Sequence, residues 1–132
     1  MALCAFLVCI ACNPRDRVER ARKAAEGFHS LYNKQDFVGM YQFAGAAVRE
    51  STSESAFTSY EKGVRGKLGA LQAADVLNYN ITYVLSGPQV RLDYASRYER
   101  GTAVESFEIN FRNGRPVIDG YRIDSPQLGG KP

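Results

Sequence analysis

Residues 77–88 read Leu77-Asn78-Tyr79-Asn80-Ile81-Thr82-Tyr83-Val84-Leu85-Ser86-Gly87-Pro88. Apolar side chains recur at every second position from Leu77 to Leu85, with Asn78, Asn80 and Thr82 between them. A period of two is that of a half-buried strand, and Ser86-Gly87-Pro88 closes it with turn chemistry. The pattern continues downstream. Val90, Leu92, Tyr94, Ser96 and Tyr98 alternate with Gln89, Arg91, Asp93, Arg97 and Glu99, and Arg100-Gly101 turns the chain. Phe107, Ile109 and Phe111 alternate with Glu108 and Asn110. Asn113-Gly114 is a strong hairpin signal, Val117 to Asp124 forms a last strand, and Asp119-Gly120 within it reads as a turn or bulge pair. Each strand therefore has one dry face and one wet face.

Upstream of residue 70 the period is 3.6. Asn13 caps a first helix with Pro14 at its first position, and Val18, Ala21, Ala24, Ala25, Phe28, Leu31 and Tyr32 form its apolar stripe. Asp36 caps a short second helix with Phe37, Met40, Tyr41, Ala44 and Val48 inside. Ser51-Thr52-Ser53-Glu54 is a capping-box pattern opening a third, whose face is Phe57, Tyr60, Val64 and Leu68 and whose stop is Gly69. Three amphipathic helices followed by four hairpin-linked strands give an α+β domain: three N-terminal helices packed on a curved four-stranded antiparallel sheet.

The chain's 132 residues suit one domain able to bury a core without metals or disulfides. Its net charge of +3 is mild, and no block of Lys or Arg argues for nucleic acid. The three cysteines, Cys4, Cys9 and Cys12, all lie in the opening stretch MALCAFLVCIAC, and His29 is the single histidine. These parts do not make a metal site, and no motif calls for a cofactor.

The run from Met1 to Ala11 is apolar and too short to span a bilayer as a helix; it has the length of the apolar part of an export signal. Ala11-Cys12 resembles the lipobox of bacterial lipoproteins, with Cys9 where that pattern has Leu. The resemblance implies a signal peptide over 1–11, a lipidated anchor and linker over 12–14 with the acyl chains on Cys12, a folded domain over 15–125 and a flexible tail over 126–132. A start placed too late accounts for the absence of Lys or Arg before the run. The implied location is the bacterial cell envelope, facing the periplasm. Asn13 after the cysteine, where an acidic residue would mark inner-membrane retention, leans toward the outer membrane.

Helices first and a meander after them, together with Phe28-His-Ser-Leu-Tyr-Asn-Lys-Gln-Asp36-Phe37 and the closing Asp119-Gly-Tyr-Arg-Ile123, resemble the NTF2-like (cystatin-like, cone-shaped) superfamily, in particular its small bacterial secreted or lipoprotein domains. The resemblance covers roughly Arg15 to Ser125 and implies a concave pocket between helices and sheet. It does not imply one reaction, because this fold hosts enzymes, binders and dimerisation modules.

Enzymes of that superfamily place an Asp, or a His with an Asp, inside the cone, which makes His29 and Asp119 the candidate catalytic groups. His29 falls at the edge of the apolar stripe of its helix and reads as a boundary residue. Asp119 is in phase with Val117 and Tyr121 and would need a partner or a raised pKa if buried. Asp93 alternates with Leu92 and Tyr94 and faces water beside Arg91 and Arg97. Tyr79, Tyr83, Tyr94, Tyr98 and Tyr121 share inward strand phases, as core filling, as the lining of a pocket for a small ligand, or as an interface for a homodimer through the sheet. With no complete catalytic pair in the sequence, the reading favours a non-enzymatic envelope lipoprotein whose domain binds a small ligand or a protein partner. A dehydratase- or isomerase-type enzyme using Asp119 or His29 is one alternative, and a soluble NTF2-like dimerisation module is the other.

Overall fold

The computed structural model describes residues 13–129, so the signal and Cys12 anchor expected over residues 1–12 lie outside the described residues, as do the last three residues of the tail. Four helices precede four strands: α1 (Pro14–Asn33), α2 (Phe37–Phe43), α3 (Ala46–Ser51), α4 (Glu54–Leu68), β1 (Leu71–Val84), β2 (Gly87–Tyr98), β3 (Gly101–Arg112) and β4 (Arg115–Asp124). The strands form one antiparallel sheet in the order β1-β2-β3-β4. The class is α+β, helices on a curved, open antiparallel sheet, consistent with an NTF2-like cone.

The caps lie where the sequence places them. The Asn13 side chain accepts from Arg15 N, Asp36 from Gly39 N and Ser53 from Ala56 N, each satisfying a helix donor that has no partner within its helix. The expected count of three helices is corrected to four. The segment read as one short helix breaks at Ala44-Gly45, both extended, because Gly45 N donates to Ile118 O of β4 at 2.7 Å instead of continuing the helical ladder. A Cβ at Gly45 would lie 2.5 Å from Val117 Cγ1 and against Asp119 Oδ1. Glycine is what lets the chain close onto the β4 edge here.

β1 also departs from the plain alternation. Its register against β2 slips between Leu71 and Ala73 and again between Val76 and Asn78. Leu77 is the extra residue of the second slip and stands exposed, although the alternation places it inward. Tyr79 and Tyr83 pair with Leu92 and Pro88, so they lie on the side of the sheet that carries Leu92, yet both are exposed (58% and 68%). They stand outside the core. On α4 the expected inward Tyr60 is exposed and Glu61 is buried in its place.

Where helices and sheet meet, Ala21, Ala24 and Ala25 let α1 lie close to the strands, and Phe28 follows them into the core. The Phe28 and Phe107 rings meet edge to face at 5.7 Å, and Tyr121 packs against both, at 4.8 and 4.9 Å. Each fully buried ring of this kind contributes roughly 1.5–3 kcal/mol over exposure to water.

Candidate functional site

The polar centre of the cone is Glu105, a residue the sequence hides in plain alternation. It stands two positions before Phe107 on β3 and shares its inward phase. Its side chain has no exposed surface. Ser96 Oγ on β2 donates to Glu105 Oε1 at 2.5 Å, Tyr121 Oη on β4 donates to Oε2 at 2.5 Å, and His29 Nε2 on α1 lies 3.2 Å from Oε2. An ionised Oε2 can only accept, so His29 Nε2 carries a proton toward it. Burial pushes the Glu105 carboxyl up, but the hydrogen bond and charge of His29, with the hydroxyls of Ser96 and Tyr121, outweigh it and hold the group below its ordinary 4.5.

His29 is therefore not a boundary residue. It is buried, edge to face with Tyr94 at 5.8 Å and with Phe107 at 5.5 Å, and it meets a carboxylate from another element. Its other side borders a shallow groove between α1 and β1, with Glu26, Ser30 and Asn33.

Glu61 is the second buried acid. It belongs to the stripe Phe57, Glu61, Val64, Leu68 of α4, whose spacing points all four at the sheet. It is 1% exposed, and its Oε2 has no partner among the described residues. Burial first, and the nearby Glu105 carboxylate second, raise its carboxyl from 4.5 to about 8. At neutral pH Glu61 is an uncharged acid that can donate a hydrogen bond. The same two causes, burial and then Glu105, push the Tyr121 phenol well up, so its hydroxyl keeps its proton.

Asp119 lies on a bulge. Glu108 pairs with Gly120 and Ile109 with Ile118, which leaves Asp119 unopposed. Its side chain is 7% exposed. Oδ2 accepts from Asn110 Nδ2 at 2.6 Å and from Arg112 Nη2 at 3.1 Å, while Oδ1 is buried without a partner among the described residues. Asp93, by contrast, sits beside Arg91 at 3.3 Å and accepts from Ser106 Oγ, as a sheet-face ion pair would.

Glu61, Asp119 and Tyr121 converge on one cavity of about 280 Å³ between α3, α4 and β4, completed by Val48, Thr52, Phe57 and Tyr60. Tyr121 belongs both to this wall and to the Glu105 network, so one residue borders the cavity and bonds the Glu105–His29 pair. Of the five candidate tyrosines, only Tyr121 lines the cavity; Tyr94 and Tyr98 are buried in the core, and Tyr79 and Tyr83 are exposed on β1. Among the described residues no group of three or more His, Cys, Asp and Glu gathers as a metal site would.

Glu61, Glu105 and Ser96 escape a search for catalytic motifs because they carry none. The available signal is a charged residue in phase with an apolar stripe, at 61 on the helix and at 105 on the strand.

No family model matches the chain, and no curated protein matches it. Among solved structures it is similar to Aln2 from a Streptomyces species, with a TM-score of 0.57 and 12% identity over 88% of this chain and 94% of that one. The likeness is one of fold.

The raised carboxyl of Glu61 sets a pH dependence of stability. Unfolded, the group titrates near its ordinary 4.5; folded, it titrates near 8. The stability that goes with its proton is complete below 4.5 and is lost as pH rises through 8. Glu61→Gln, which carries no such proton, is expected to be more stable than the natural chain above pH 8, by on the order of a few kcal/mol. That advantage should shrink as pH falls and level off near 4.5. Urea unfolding at a series of pH values measures it, and an advantage independent of pH would contradict the assignment.

Proposed function

We propose that this is an NTF2-like domain that binds a small organic ligand in the cavity between α3, α4 and β4, without a cofactor. The observation that carries the reading is the pair of buried carboxyl oxygens, Glu61 Oε2 and Asp119 Oδ1, that lack partners among the described residues and belong to side chains of one cavity wall. A buried polar atom left unpaired costs roughly 1–3 kcal/mol, and a ligand that pairs it recovers that cost on binding. Protonated Glu61 offers a donor, and Asp119, held by Arg112, offers an acceptor. The complementary ligand is small and partly apolar, with a carbonyl or ether oxygen at one end and a hydroxyl or amine at the other.

A catalytic reading has its own support: Tyr121 lines this cavity, and its hydroxyl bonds the Glu105–His29 pair. In an isomerase- or dehydratase-type reaction, Glu61 would act as the acid toward a carbonyl oxygen and Asp119 as the base toward a proton on the ligand. His29 would act through Glu105 and Tyr121, as a positioning residue. Binding is the better supported of the two, because it needs only the cavity and its unpaired oxygens.

The place of action in this reading is the bacterial cell envelope, with Cys12 lipidated after removal of residues 1–11 and the domain facing the periplasm, from the outer membrane in preference to the inner. What supports it is the sequence Ala11-Cys12 behind an apolar run. Acyl chains add about 0.8 kcal/mol of membrane affinity per buried methylene.

A panel of small cyclic hydroxy-ketones, screened by nuclear magnetic resonance against the full chain, tests the ligand site. Binders are expected to shift the amides of residues 48–61 and 119–121, and to bind at least about tenfold more weakly to Glu61→Ala, the effect of 1.4 kcal/mol or more. Binders that leave those amides unmoved, or bind Glu61→Ala equally well, would sink the reading. Separately, cells expressing the chain with a clickable fatty acid are expected to label the natural protein and not Cys12→Ala. An unlabelled natural protein rules out the anchor and leaves the ligand site standing.

A further inference from the structure

One end of the molecule combines features that the cavity does not use. The β1–β2 hairpin ends in exposed Tyr79, Tyr83 and Val84, with Leu85 wholly in solvent at its tip. Hairpin tips in water are ordinarily built from Gly, Asn, Asp and Ser, and apolar residues grouped at an exposed tip mark a surface that meets something. The meander brings the β3–β4 turn, Asn113-Gly114, to this same end. The first turns of α1 lie there too: Arg17 donates to Tyr83 Oη at 3.2 Å with its guanidinium over that ring, and Arg20 reaches Gly114 O and stacks over Phe111. Arg15 and Arg115 are exposed beside them. The only acidic residues on the first two turns of α1 are Asp16 and Glu19, and Glu19 is paired with Arg22.

We infer that this end docks on an anionic lipid surface, with Leu85 and Val84 entering the acyl region, Tyr79 and Tyr83 at headgroup depth, and the arginines on lipid phosphates. Each part has the chemistry for its layer. Tyrosine carries an apolar ring with a polar tip and settles at membrane interfaces, and arginine extends its charge to phosphate while its stem stays in an apolar layer. The arginine rim argues against a second copy as the occupant, since a two-fold contact through the tips would bring like charges together. This end shares no residue with the lining of the ligand cavity, and its contacts with lipid need no acyl chain on the protein.

The test uses the full chain with Cys12→Ala, which cannot be lipidated, and Leu85→Trp, the sole tryptophan in a sequence that has none. It is mixed with vesicles of phosphatidylcholine alone or with phosphatidylglycerol, with and without brominated acyl chains. Expected are a blue shift and bromine quenching of at least about twofold on the anionic vesicles only, and binding at least about tenfold weaker after Arg15→Glu with Arg115→Glu, from about 1 kcal/mol per surface arginine. Three results overturn it: emission that stays water-like while the protein sediments with vesicles or fails to sediment at all, an equal shift on neutral vesicles, or a shift that grows with protein concentration without lipid.

Discussion

The structure turns on a carboxylate held inside an apolar core. Glu105 has no exposed surface, and isolated charge in such a place is prohibitive unless it is paired and hydrogen-bonded. Three elements supply what it needs: α1 brings His29, β2 brings Ser96 and β4 brings Tyr121. Together with β3, which carries Glu105, they are tied through one side chain. Removing one partner would leave buried charge uncompensated, a loss larger than the net worth of the pair itself. The aromatic packing of Phe28, Phe107 and Tyr121 surrounds this network and depends on the same register.

The consequence reaches α4. Burial first, and the neighbouring Glu105 carboxylate second, keep Glu61 from ionising freely, so it holds its proton to about pH 8. One core thus pushes two acids in opposite directions, Glu105 down and Glu61 up, and of these two Glu61 lines the cavity. The bulge at Asp119 adds to this. An extra residue on β4 takes Asp119 out of register, and Gly45 leaves room for its carboxylate against the α2–α3 junction. An α2–α3 break, a glycine and a bulge thus converge on the wall of one cavity.

Much of this architecture is legible in the sequence, and particular residues show where legibility stops. The caps at Asn13, Asp36 and Ser53 and the turns at Gly87, Gly101 and Gly114 are local chemistry, which a sequence states directly. The helix break at Gly45 is not local: it exists because Ile118, far along the chain, offers a carbonyl. The exposure of Tyr79 and Tyr83 is likewise invisible to alternation, which reports which side of a strand a residue takes and not whether a helix covers it. Asp119 is visible as a candidate from its phase, but its unpaired oxygen and its neighbour Glu61 come from three elements at once. Glu61 and Glu105 are readable as charges inside apolar stripes; what each of them meets across the core is not.

The most direct measurement is a titration of the glutamate side-chain carboxyls by carbon-13 nuclear magnetic resonance, assigned with Glu61→Gln and Glu105→Gln. Glu61 should change protonation near pH 8 and Glu105 below the ordinary 4.5. If both titrate together near 4.5, the cone does not hold one protonated and one charged acid, and the account of its chemistry fails.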